Sequence, residues 1–214
     1  MSTSRLPADL AGYVAEHAAG DDQFLMDLKR ATVDAGIPEI WIGPHQAAAM
    51  ALLLKVSGAR EVVEVGTLGG YSAICMARAL SADGRVRTIE IDDKHADFAD
   101  EWIAKSDVAG RVEVLRGAGN DVLPRIEDAS ADAIFLDADK QGYSAYIAQG
   151  VRILRPGGLL MVDNAFAFGR LLDSDCNDES VLAVRAVNDE LAAHEAFEGL
   201  MLPVGDGMWA MRKR

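Results

Sequence analysis

From residue 60 onward the chain alternates short apolar runs with amphipathic stretches, and this rhythm restricts the possible folds more than any other feature. The runs Glu61–Val65, Val86–Ile91, Val112–Arg116, Ala133–Leu136 and Leu159–Val162 have the length and β-branched content of strands. Between them, residues 71–81, 94–105, 120–127 and 143–154 carry helical patterns. Such an alternation packs as a parallel sheet with helices on both faces. After a further helix near 179–193, Phe197–Leu202 and Met208–Arg212 read as two strands. The turn formers Gly205-Asp206-Gly207 join them as a hairpin, which gives the sheet an antiparallel edge. Residues 8–57 read as helical. Asp21-Asp22 can cap a helix reaching about Ala35, and Pro44 suits the first turn of another running through Leu52-Leu53-Leu54. The fold expected is therefore α/β, a Rossmann-like doubly wound sheet, mostly parallel with one antiparallel edge strand, under an N-terminal helical cap. No repeat or linker divides the chain. One domain is expected over residues 1–214, with 1–57 as the cap and 60–214 as the core.

Charge and composition narrow the class of function. Asp and Glu number 34 against 21 Lys and Arg, a formal charge of −13 that leaves little to build a basic face. Nucleic acid and anionic membrane are poor partners for such a surface, and a small molecule is the better one. No apolar run approaches the roughly 18 residues that cross a bilayer, and the N-terminus lacks the apolar core of a signal peptide. A cytoplasmic protein is expected. Two cysteines, Cys75 and Cys176, provide neither a disulfide scaffold nor a Cys-rich zinc site.

In open α/β sheets ligands bind beyond the carboxyl ends of the strands. The first such end reads Glu64-Val65-Gly66-Thr67-Leu68-Gly69-Gly70-Tyr71-Ser72. Glycines let backbone approach a ligand, and the following helix offers free N–H groups. By itself such a turn marks only a tight strand–helix connection. The spacing, however, is Gly-x-x-Gly-Gly and not the Gly-x-Gly-x-x-Gly of nicotinamide binders. Glu64, inside the strand, is an odd choice unless it meets a cation. The second strand ends in Glu90, where an acid suits the two hydroxyls of a ribose. Glu64 and Glu90 together describe an adenosine cofactor that carries positive charge, S-adenosylmethionine better than NAD.

The fourth and fifth strands end in Asp137-Ala138-Asp139-Lys140 and Asp163-Asn164. If these strands are neighbours, about 4.8 Å apart, Asp137, Asp163 and Asn164 converge as two carboxylates and an amide oxygen. An all-oxygen set of this kind suits a hard divalent ion such as Mg²⁺. The other reading of each aspartate is a helix cap or turn former.

Taken in order, these residues resemble the metal-dependent class I O-methyltransferases of the catechol and caffeoyl-coenzyme A type. The resemblance runs from about residue 40 through Glu64–Thr67, Gly70-Tyr71-Ser72, Glu90, Leu136–Lys140 with Tyr143, Pro156-Gly157-Gly158, Asp163-Asn164 and Gly205-Asp206-Gly207. It implies that Glu64, Gly66, Thr67, Ser72 and Glu90 hold S-adenosylmethionine, with Gly119 facing the adenine and Asp137 and Asp139 beside the cofactor. It further implies that Asp137, Asp163 and Asn164 bind the metal, that Lys140 is the base, and that the protein is a homodimer. Relatives commonly carry Thr or Cys in place of Gly69, a change expected to be harmless. They carry Leu-Trp where Phe166-Ala167 stand here, so the acceptor is not transferred with the family.

The leading reading is methyl transfer from S-adenosylmethionine to an oxygen of a small vicinal-diol phenol. Its rivals are an NAD-dependent oxidoreductase on the same fold and a non-catalytic S-adenosylmethionine-binding scaffold. The four histidines, His95 among them, read as surface or structural residues, although His45-Gln46 is placed to touch the cofactor. Cys75 reads as a small core residue.

Overall fold

The computed structural model describes residues 20–214 together with Tyr13 and His17. The remainder of the 8–19 helical expectation lies outside the described residues. Two helices come first, α1 (Gln23–Asp34) and α2 (Pro44–Ser57). The Asp22 carboxylate caps α1 by accepting from the Leu25 amide at 2.9 Å, and Pro44 opens α2 at a position where no N–H is needed. There follow β1 (Glu61–Val65), α3 (Tyr71–Ala79), β2 (Arg85–Glu90), α4 (Asp93–Lys105), β3 (Val112–Arg116) and α5 (Gly119–Val122). The chain continues with β4 (Ala131–Leu136), α6 (Tyr143–Ile153), β5 (Leu154–Val162), α7 (Glu179–Ala193), β6 (Phe197–Leu202) and β7 (Met208–Lys213).

The seven strands lie in the order β3-β2-β1-β4-β5-β7-β6. Strands β1 to β5 pair in parallel, and β7 runs against both β5 and β6. The antiparallel strand is thus one place in from the edge, because β7 inserts between β5 and the outermost β6. Alternation along the strands sorts the core into two layers. Val62, Phe135 and Met161 face α1 to α4 through Leu28, Met50 and Ile74. Val63, Ile134 and Leu160 face α6 and α7 through Ile147 and Leu191. Among the described residues no helix is long and apolar enough to cross a membrane.

Two boundaries differ from expectation by more than two residues. The helix expected over 120–127 is only α5 followed by a 3₁₀ turn, Leu123–Arg125. Pro124 lacks the N–H that an α-helix interior needs, and its ring crowds the preceding turn. Strand β5 starts at Leu154 and includes the Pro156-Gly157-Gly158 segment, with a register shift against β4 between Ala131 and Ala133.

The base of the sheet is held by Asp132 on β4. Its carboxylate accepts from the Arg60 and Glu61 amides, both at 2.8 Å, and from the Arg155 guanidinium. Burial alone would raise this carboxyl; the Glu61 amide, the Arg155 guanidinium and the Arg60 amide outweigh it and hold it below the usual carboxylate range. A carboxyl held low stabilises the fold at pH values above about 4 and loses that contribution as pH falls through its native value. Asp132→Ala is therefore expected to cost about 1–3 kcal/mol at pH 7. The deficit should shrink in urea melts taken from pH 5 down to pH 3; one that stays constant would show that the ionised carboxylate is not what braces β1.

Candidate active site

The strand order reverses between β1 and β4, and a cavity of about 830 Å³ opens there at the carboxyl ends of the strands. The turn after β1 and the segment after β4 cross at its floor. Gly66 has φ +104, and a Cβ on it would lie 1.9 Å from the Asp137 carbonyl oxygen. Only glycine fits. The crossing is pinned on both sides, as the Gly66 amide donates to the Ile89 carbonyl at 3.0 Å and the Asp137 amide to the Val65 carbonyl at 2.9 Å. Gly66, Thr67, Ser72, Glu90 and Gly119 all lie on the cavity wall.

Glu90 is 7% exposed, and its carboxylate organises the turn. It accepts from the Leu68 amide at 2.8 Å and the Asp92 amide at 3.0 Å, with His95 Nδ1 at 3.8 Å. Each oxygen keeps a lone pair for a hydroxyl from the cavity. Glu64 is placed differently. It is fully buried beneath α3 and is not on the cavity wall. Its two oxygens accept from Ser72 Oγ and Thr88 Oγ1, both at 2.5 Å, and Thr88 in turn meets Thr67 Oγ1 at 2.6 Å. Burial pushes the Glu64 carboxyl up to about 8, against the lowering effect of those hydroxyls. It fixes Ser72 and, through Thr88, Thr67, and these two line the cavity.

On the other side, Asp137, Asp139, Lys140 and Asn164 line the wall. Lys140 is 9% exposed; its Nζ donates to Tyr143 Oη at 2.7 Å and to Asp137 Oδ1 at 3.2 Å. Asp139 accepts from Tyr146 Oη at 2.6 Å, and the ring of Tyr146 packs on Gly119. Strands β4 and β5 are paired neighbours, so their ends bring Asp137, Asp163 and Asn164 to one point. Asp163 is buried behind the wall, where Gln46 Nε2 on α2 donates to its Oδ1 at 2.6 Å. Burial and the facing charge of Asp137 push the Asp163 carboxyl up to about 7.

Among the described residues no three His, Cys, Asp or Glu side chains gather as a metal-holding group. The donor set at the β4 and β5 ends is instead two carboxylates and an amide. Asn164, at φ +60, aims Nδ2 at Asp206, which leaves its Oδ1 for another partner. Two carboxylates and an amide oxygen at adjacent strand ends fit a hard divalent cation in their chemistry.

Several wall residues carry no local sequence signal. Lys29 and Thr32 on α1 and Trp41 before α2 cover the turn. The Lys29 ammonium sits 4.0 Å from the Tyr71 ring centroid and pairs with Asp21 at 2.6 Å, and Tyr71 Oη donates to Asp21 at 2.6 Å. His95, expected on the surface, lines the cavity beside Glu90. Gln46 reaches Asp163 and is absent from the wall. Phe168 stands at the wall, 51% exposed. Cys75 is partly buried and packs against the core, and burial pushes its thiol up to about 12.

Known proteins are similar to this chain in sequence and fold. The O-methyltransferase family profile matches residues 15–214. The chain is 35% identical over 193 residues to a catechol O-methyltransferase of Niastella koreensis, covering 89% of this chain and 87% of the relative. It is 34% identical over 204 residues to a catechol O-methyltransferase of Mycobacterium tuberculosis, covering 95% and 92%. The crystal structure of an O-methyltransferase from Bacillus cereus in complex with SAH superposes with a TM-score of 0.88 at 34% identity, covering 96% of this chain and 97% of that one. The chain belongs to this family. It is a class I O-methyltransferase, an enzyme of the class that takes its methyl group from S-adenosylmethionine, and the oxidoreductase reading is set aside.

Gly69 is matched to its neighbour Thr32. A Cβ on it would come 2.8 Å from Thr32 Oγ1, and Thr32 is buried with that hydroxyl donating to the Leu28 carbonyl. A side chain added at 69 is therefore not accommodated in this chain, because Thr32 fills the space. Gly69→Ala is expected to cost about 1–3 kcal/mol by overpacking. Adding Thr32→Ala should recover most of that loss in unfolding measurements on the double variant. Simply additive losses would show that the two positions do not compete for space.

Proposed function

We propose that the enzyme transfers the methyl group of S-adenosylmethionine to one oxygen of a small vicinal-diol phenol of catechol or caffeoyl type, in a reaction that depends on a divalent metal, Mg²⁺ in the first place. The observation that carries this reading is that Asp137, Lys140 and Asn164 line the cavity that also contains the Glu90 turn, with Asp163 buried behind them at the end of the paired strand β5. The family resemblance also supports a homodimer working in the cytoplasm on a small molecule, and the charge of −13 fits that class of partner better than nucleic acid or lipid.

Each role follows from the position of a side chain. Glu90 takes the ribose hydroxyls with the lone pairs its two amide contacts leave free. Gly66 allows backbone to approach the cofactor, while Glu64 anchors Ser72 and supports Thr67 through Thr88. Gly119 faces the adenine, and Asp139, steadied by Tyr146, stands with Asp137 near the amino-acid end. Asp137, Asp163 and Asn164 hold the divalent ion. When bound, that ion supplies Lewis-acid polarisation of two adjacent acceptor oxygens. Tyr143 and Asp137 hold Lys140 Nζ where it takes the proton of the acceptor hydroxyl. The oxygen forms its bond to the methyl carbon as the carbon–sulfur pair departs onto sulfur, so orientation within the cavity carries much of the rate.

Turnover of catechol, read by mass spectrometry of the methylated product, tests the proposal. Product should form with Mg²⁺ and fail to form after EDTA and exhaustive dialysis. Asp163→Ala should lose the metal stimulation while keeping S-adenosylmethionine affinity. Lys140→Ala should lower kcat by about 10²–10⁴-fold, and Lys140→Arg should not restore it, because a guanidinium stays protonated. Full turnover in EDTA, or a folded Lys140→Ala variant within a few-fold of wild type, would overturn the mechanism. No turnover with any vicinal diol, with S-adenosylmethionine still bound, would overturn the acceptor class.

A further inference from the structure

The loop after β5 is held in an uncommon backbone conformation. Asn164, Ala167 and Phe168 have φ of +60, +52 and +59, a region that Asn enters readily but Ala and Phe rarely do. Such a loop keeps its shape only if something outside it does the holding. Here the Asn188 side chain, which donates to the Ala165 carbonyl at 2.8 Å, and the turn between β6 and β7 share that task. The Ala165 amide donates to the Gly207 carbonyl at 2.9 Å and the Phe166 amide to the Asp206 carbonyl at 2.8 Å. The Phe168 amide donates to the Asp206 side chain at 2.6 Å.

The same Asp206 oxygen, Oδ2, also accepts from Asn164 Nδ2 at 3.4 Å. One carboxylate oxygen therefore touches both functional ends of the loop: the amide at the β5 end and the backbone that presents Phe168 to the cavity. The turn has little freedom to drift. A Cβ on Gly205 would lie 1.9 Å from Gln46 Oε1, and one on Gly207 would lie 2.7 Å from the Phe166 ring. Gln46 in turn donates to Asp163. The 205–207 turn is thus wedged between the supports of Asp163 on one side and the Phe168 loop on the other.

We propose that Asp206 is a positioning residue that couples the cation site to the acceptor wall. By accepting from Nδ2 it fixes the orientation of the Asn164 amide, so that Oδ1 is the atom offered to the divalent ion. By accepting from the Phe168 amide it fixes the aromatic ring against which a phenolic acceptor packs. A change at either contact is transmitted to the other through one oxygen atom. This inference rests on the metal-dependent phenol methyltransferase reading.

The test compares wild type, Asp206→Ala and Asp206→Asn in four measurements: Mn²⁺ affinity by electron paramagnetic resonance, the KM and kcat for catechol at saturating Mg²⁺, S-adenosylmethionine affinity by calorimetry, and hydrogen exchange across 164–169. Asp206→Ala should weaken Mn²⁺ by roughly 10–100-fold, the usual cost of removing a group that orients a metal ligand. It should also raise catechol KM and speed exchange over 164–169, while S-adenosylmethionine affinity stays within about two-fold. Asp206→Asn, which keeps an acceptor oxygen, should fall between the two. A lower melting temperature with Mn²⁺ affinity and catechol KM unchanged would reduce Asp206 to a structural brace and overturn the proposal. Loss of only one of the two would overturn the coupling. A wild type that binds no Mn²⁺ refutes the parent reading and the cation half of this one together, and the exchange data then decide the loop half.

Discussion

The site depends on the crossing of Gly66 and Asp137. Two backbone segments, one leaving β1 and one leaving β4, pass so closely that a single added carbon on Gly66 would overlap the Asp137 carbonyl. That contact is possible because β1 and β4 are adjacent, paired from Val62 with Ala133 to Val65 with Leu136. It brings the glycine turn and its Glu90 clasp next to the Asp137–Lys140 segment. Pairing of β4 with β5 then adds Asp163 and Asn164. Sheet order alone thus places a nucleoside-sized recess beside a cluster of oxygen donors, and the helices bury the back of both.

The buried acids in this region meet the cost of desolvation in three ways. Glu64 has burial pushing its carboxyl up to about 8, with two hydroxyls as partners and no cation among its hydrogen-bonded contacts. Glu90 is compensated by two backbone amides and borders the open cavity. Asp163 faces Asp137 across a short gap, with Gln46 as a neutral donor and Lys140 as the nearby cation. Under the proposed function the first arrangement supports the glycine turn and the second recognises the ribose. The third leaves charge to be balanced, and under the proposed function a divalent ion balances it.

Much of this was legible from the chain alone because it is local. Strand ends, the Gly-x-x-Gly-Gly spacing and the Asp-Ala-Asp-Lys and Asp-Asn pairs are short patterns, and the alternation of strand and helix places them together. What stayed hidden is what depends on distant packing. Gln46 meets Asp163 across 117 positions, and Lys29, Thr32 and Trp41 reach the wall only because α1 and its connection to α2 fold back over the glycine turn. The partners of Glu64 stayed hidden for a related reason: its position in the strand announces a buried acid, but only Ser72 and Thr88, 8 and 24 residues away, show what its carboxyl meets. His95 lies on a helix whose exposed face gives no hint that the second strand turns it toward Glu90. Pro124 was visible in the sequence, and its helix-breaking effect accounts for the shortened α5.

The central claim is that one cavity holds both a nucleoside cofactor and a hard cation, on opposite sides of the Gly66–Asp137 crossing. The anomalous X-ray signal of Mn²⁺ in crystals grown with S-adenosylhomocysteine tests it most directly. A single Mn²⁺ peak is expected, bounded by oxygens of Asp137, Asp163 and Asn164, with the ribose of the nucleoside against Glu90. A peak away from those three residues, or a ribose that makes no contact with Glu90, would contradict it.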